Sequence, residues 1–253
     1  MRSVYDKELY IYFSSPIFYV IAGIFLCITG IFFYNNMVYV SLLASQIAQY
    51  QISTGISLND ILLRPLFADM SLLFLFLIPI VSMRLYAEER AQGTIELLFT
   101  YPLSDLQILA AKYLAGLTVL AAIGACTLVL MVLISLITSA DWGLVISSYI
   151  GLFLMGSAFL ALGVFASSLT RNQIISASIS LGLILGFWAI GWFANTMNSG
   201  TIATFLKEIS VVGHLSSFLK GMVTLKDVAF YFCFTLFFLF LTLRILESRT
   251  WRG

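Results

Sequence analysis

Glu88-Glu89-Arg90-Ala91-Gln92-Gly93-Thr94-Ile95-Glu96-Leu97-Leu98, followed by Pro102-Leu103-Ser104, is a dense charge cluster in the interior of this chain. Apolar runs long enough to cross a bilayer flank it on both sides. The chain is 61% hydrophobic and 10% charged, with a mean hydropathy of +1.03. Soluble domains carry roughly 25% charged residues. A chain this apolar cannot cover itself with polar groups in water, so the bilayer is its expected solvent. The quoted stretch then belongs at a membrane surface, held there by a span on each side.

A spanning helix needs about 20 mostly apolar residues. Six segments qualify: 16–34, 66–83, 107–138, 144–169, 174–197 and 228–246. Their runs are continuous rather than alternating, which excludes a membrane β-barrel. The third exceeds what a bilayer requires and is expected to tilt, or to project near Lys112. With both termini inside, Arg2, Lys7, Arg84, Arg90, Lys112, Arg171, Arg244, Arg249 and Arg252 face the cytoplasm. Arg64, Lys207, Lys220 and Lys226 face outward, an asymmetry that fits the positive-inside rule. The expected architecture is an all-α membrane protein of six transmembrane helices in a single domain over 1–253, with cytoplasmic N- and C-termini.

Outside the spans, residues 1–15 place Tyr5, Leu9, Tyr12 and Phe13 on one helical face and Arg2, Asp6 and Ser14 on another. An amphipathic interface helix lying in the headgroup plane is expected. The run after it is too long for a cleavable signal, so the first span is expected to be retained. Residues 198–227 hold two apolar stretches too short to span, expected as short re-entrant-like helices in the outer leaflet. The fifth span carries Ser178, Gly182 and Gly186 at intervals of four, a small-residue pattern for close helix packing, within one chain or at a subunit seam.

Within 84–105, Glu88 and Glu89 are expected in or near the first turn of a short helix, where the helix dipole favours carboxylates. Gly93 supplies a bend, Thr94 caps a following turn, Pro102 stops it, and Ser104 or Asp105 caps the next span. Cys27, Cys126 and Cys233 sit mid-run and read as small packing residues rather than metal ligands. His214 is the only histidine, and in an external loop it reads as structural. Asp69 is expected near the outer surface, close to Arg64. A net charge of +1 gives no basis for binding nucleic acid. There is no Gly-x-x-x-x-Gly-Lys-[Ser/Thr] segment to cradle phosphates, and no nucleophile elbow.

The pattern Glu89-Arg90-x-x-Gly93-Thr94-Ile95-Glu96-x-Leu98, then Pro102-Leu103-Ser104, then Ala111-Lys112-Tyr113, resembles the signature of ABC-2 type transporter permeases. The opening Lys7-Glu8-Leu9 with Tyr12-Phe13-Ser14-Ser15-Pro16 is similar to the gliding-motility-associated and copper-enzyme-maturation permeases. The resemblance implies a half-transporter without catalysis of its own. It implies pairing with a second permease chain, and two separate ABC ATPase subunits that carry ATP and Mg. Glu88, Glu89, Arg90, Gly93, Thr94 and Glu96 would be the ATPase-coupling residues. A membrane-anchored periplasmic auxiliary protein and a bacterial inner-membrane location are further implications. Two other readings stand beside it: an ion-gradient-driven carrier, and a membrane scaffold of a motility or secretion complex. The substrate is not legible.

Overall fold

The computed structural model describes residues 1–50, 58–93, 104–137, 141–196 and 201–250. All regular structure among them is helical. Six helices are long and apolar enough to cross a membrane. Helix α1 (Arg2–Ser14) ends at Ser15, whose backbone is extended (φ −85°, ψ 124°). The residue before a proline avoids helical geometry, so Pro16 both ends α1 and opens α2 (Pro16–Tyr50). At 1.5 Å per residue the 35 residues of α2 run about 52 Å, well past a hydrocarbon core of about 30 Å. The helix therefore continues well beyond the span expected over 16–34.

Helix α3 (Leu58–Met83) passes without a break into a π-helical turn (Arg84–Glu88) and a last α turn (Glu89–Ala91). The junction residues Met83, Glu88 and Glu89 all keep right-handed helical dihedrals. Glu88 and Glu89 thus stand at the C-terminal end of one continuous helix, not at the start of a new one. The helix dipole opposes carboxylates there, so they need cations from elsewhere. Ser104 caps α4 (Asp105–Cys126), and Gln107 completes a capping box. The long third run breaks at Thr127, whose hydroxyl binds the Gly124 carbonyl at 2.6 Å and meets the Tyr149 hydroxyl at 2.8 Å. It resumes as α5 (Leu128–Ile137), so the long run is two helical pieces joined at Thr127.

Helix α6 (Trp142–Leu169), capped by Asp141, is the centre of the bundle. It packs against α3, α4, α7 (Gln173–Thr196), α9 (Val211–Phe218) and α10 (Leu225–Thr250). Small residues permit this crowding. A side chain at Gly163 would collide with Ser82 of α3, and one at Gly151 would sit 2.5 Å from Phe218 of α9. The short helices α8 (Thr201–Ile209) and α9 lie between α7 and α10, at the end of the bundle where α6 begins. The three cysteines, expected as packing residues, are exposed on the outside of the chain. The bilayer, rather than a neighbouring helix, is their expected surroundings.

Candidate functional site

The chemistry of this chain concentrates at the inner end of α3. Helix α1 presents Val4, Glu8 and Tyr12 inward, spaced four apart on one stripe. Tyr5 and Leu9 lie at its margin, and Phe13 is exposed against Phe18 with ring centroids 5.1 Å apart. The buried face of α1 is therefore rotated from the expected aromatic one, and it carries a carboxylate. Val4 packs on Ile108 and Ala111 at the start of α4.

Glu8 meets Lys112, which is fully buried within α4. Its ammonium lies 2.5 Å from Glu8 Oε1, 2.8 Å from Glu89 Oε2 and 2.7 Å from the Leu85 carbonyl. Lys7, half-exposed, adds a second cation on Glu89 at 2.9 Å. Four elements thus converge: α1, the π-turn, the last turn of α3 and α4. An ammonium buried in a spanning helix is costly unless paired, and here it finds two carboxylates and a carbonyl. Burial pushes the Glu8 carboxyl above the usual carboxylate range, more than the adjacent Lys112 ammonium lowers it. Burial pulls Lys7 down, but its hydrogen bond to Glu89 and the charges of Glu89 and Glu8 together leave it above the usual lysine value. Burial pushes the Tyr12 phenol well up, so it remains a donor, 2.6 Å from the Val81 carbonyl.

Arg84 holds Glu88 at 2.9 Å and also donates to the Ser15 hydroxyl at 3.1 Å. Arg90 is buried and donates to the Ser168 carbonyl of α6. Beside the ion cluster lies a cavity of about 300 Å³ lined by Lys7, Glu8, Ile11, Tyr12, Arg84, Glu88, Glu89 and Gln92. Gly93 is exposed with φ at +70°, the left-handed conformation that lets a chain leave a helix end without strain. Thr94 and Glu96 lie outside the described residues.

Of the segment expected at the surface, the structure brings Glu89 into the ion cluster, pairs Glu88 with Arg84, and turns Arg90 into the bundle. It adds Glu8 and Lys112, which the sequence offers only as parts of the family pattern and without any pairing between them. A lysine inside a spanning run was the available signal, since such a residue has a partner by default. On the fifth span, Ser178, Gly182 and Gly186 are all exposed, with open space around both glycines. The packing among the described residues does not use that stripe.

A second polar cluster lies at the outer end. His214 is buried and stacks on Phe230 at 4.0 Å. Its Nδ1 lies 2.5 Å from Asp227 Oδ1 and its Nε2 3.0 Å from the Glu208 carbonyl. The histidine, expected in an external loop, lies within α9 and has a carboxylate partner that sequence spacing does not reveal. Asp69, expected beside Arg64, takes a hydrogen bond from Asn36 at 3.3 Å.

No individually curated protein matches the chain. A family model described as ABC-2 family transporter protein matches residues 2–205, from α1 through most of α8 and including the whole inner cluster. Six bilayer-length helices and this match over most of the sequence lead to one conclusion: the chain belongs to the ABC-2 family of transporter proteins.

Proposed function

We propose that this permease is one half of an ATP-driven exporter or extractor in a bacterial inner membrane, driven by separate ABC ATPase subunits. The observation that carries this reading is the family match over residues 2–205. ATP and Mg would bind in the ATPase, two copies of which would dock beneath the inner cluster. A conformational push on the stretch beginning at Glu88 would reach α1 through Glu89 and Lys7, α4 through Lys112, and α6 through Arg90. Glu88, partly exposed, and Gly93 are suited to the contact side of this element. Glu89 and Arg90 are suited to transmission. Thr94 and Glu96 would join the contact side.

A second permease copy would pack on the Ser178, Gly182 and Gly186 stripe, whose open surface supports a seam between chains over packing within one. The likeness of the N-terminal residues to gliding-motility permeases supports a periplasmic auxiliary partner.

Three measurements test the reading. The purified chain alone should show no ATP hydrolysis, and reconstitution with a co-purified ATPase should produce turnover. Transport in proteoliposomes that persists without any ATPase would replace this reading with the ion-driven one. Gly182→Leu should weaken pairing of chains in a cross-linking assay while leaving the melting temperature of the single chain in place.

A further inference from the structure

A π-turn holds one residue more than the α-helix it interrupts, and it leaves backbone groups without their ordinary partners. Three helices supply substitutes at Arg84–Glu88. From α6, the Ser167 hydroxyl accepts from the Tyr86 amide at 3.2 Å and the Ala87 amide at 3.0 Å, and donates to the Met83 carbonyl at 3.1 Å. Lys112 of α4 takes the Leu85 carbonyl, and Tyr12 of α1 takes the Val81 carbonyl. Ser167 is fully buried. It lies one helical turn beyond Gly163, on the same face, where α6 approaches α3 closely at Ser82. The absent side chain at Gly163 is what lets the Ser167 hydroxyl reach the backbone of its neighbour.

We propose that Ser167 is a positioning residue for coupling. Its hydroxyl clamps the extra residue of the π-turn and so fixes the register in which α3 presents Glu88, Glu89 and Arg90. The coupling role rests on the function proposed above; the register role does not. If the extra residue were absorbed into regular α-helix, everything beyond it would turn by about 100°. Ala87 would then take the outward place of Glu88, Glu88 would take that of Glu89, and Glu89 would leave Lys112 and Lys7. The ion cluster and the clamp therefore hold the same register, and releasing the clamp gives the inner end of α3 a second discrete position.

The test uses the full chain in lipid nanodiscs, with Cys27, Cys126 and Cys233 replaced by alanine. Single cysteines introduced as A87C and E88C are probed with a water-soluble maleimide. With Ser167 present, position 87 is shielded and position 88 reacts. In S167A, labelling at 87 should rise by an order of magnitude or more and labelling at 88 should fall. The conservative S167T, which keeps the hydroxyl, should restore the original pattern. Continued shielding of position 87 in S167A overturns the proposal. Should S167A fail to fold, deleting Ala87 in the same chain removes the extra residue and should restore yield; no rescue also overturns it. The same variants are then assayed for ATP turnover with the ATPase bound. A shifted labelling pattern with unchanged coupled turnover leaves the register clamp standing and removes the coupling role.

Discussion

The two polar clusters of this permease sit at opposite ends of the bundle and are built in opposite ways. The outer one is local: His214, Asp227 and Glu208 lie within 19 residues of one another and tie α8, α9 and α10 together. The inner one is assembled from residues 104 and 82 positions apart, through Lys112–Glu8 and Lys7–Glu89. The outer cluster fixes one hairpin-like unit to the helix that follows it. The inner cluster exists only when the whole bundle has assembled, and it binds the elements that a partner would push. Local polar contacts can stabilise a segment, whereas remote ones make distant segments move together.

The comparison breaks most sharply at Lys112. Lys112→Ala leaves Glu8 and Glu89 without their shared buried cation, and should cost about 3–5 kcal/mol. Thermal unfolding in detergent measures it, and a melting temperature equal to the parent would show that the cluster does not hold the bundle. Replacing Glu8, Lys112 and Glu89 together with leucine, methionine and leucine should recover most of that stability, since an apolar triad avoids the desolvation cost. ATP turnover in the reconstituted complex should nonetheless stay low. Recovery of both would reduce the inner cluster to a packing element like the outer one.

A smaller effect is expected outside. His214→Ala removes the donor to the Glu208 carbonyl and the partner of Asp227, at a cost of about 1–3 kcal/mol. Coupled turnover in this variant should match the parent, and a drop in turnover at full stability would blur the distinction between the two ends.

The smallest effect concerns pH. Burial raises the Glu8 carboxyl, so the folded chain binds this proton more tightly than the unfolded chain. Stability from this group is greatest at low pH and declines as pH rises from the ordinary carboxylate range through the raised value of the folded chain. Glu8→Gln should flatten that limb of a melting-temperature profile; an unchanged slope would assign it to another group.

Much of the fold was legible because the bilayer is a demanding solvent. Apolar runs of bilayer length must be helices, and Pro16 and Ser104 mark where two of them start for local steric and hydrogen-bonding reasons. The break at Thr127 and the extension of α2 to Tyr50 were not legible, because hydropathy reports apolar length and not helix continuity. The face of α1 was misjudged for a related reason. Periodicity favoured its aromatic residues, yet Glu8 turns inward because Lys112 waits there on a helix more than a hundred residues away.

The candidate site divides along the same line. Composition, the Gly93 turn and the order of its motifs follow from neighbours in the chain, and they were enough to place a polar element at the inner surface. The π-turn, the burial of Glu89 and Arg90, and the convergence on Lys112 were decided by tertiary structure alone. Their partners, Ser167, Ser168, Glu8 and Lys7, come from other helices, and a charge inside a membrane is settled by whatever the packed bundle brings within hydrogen-bonding reach.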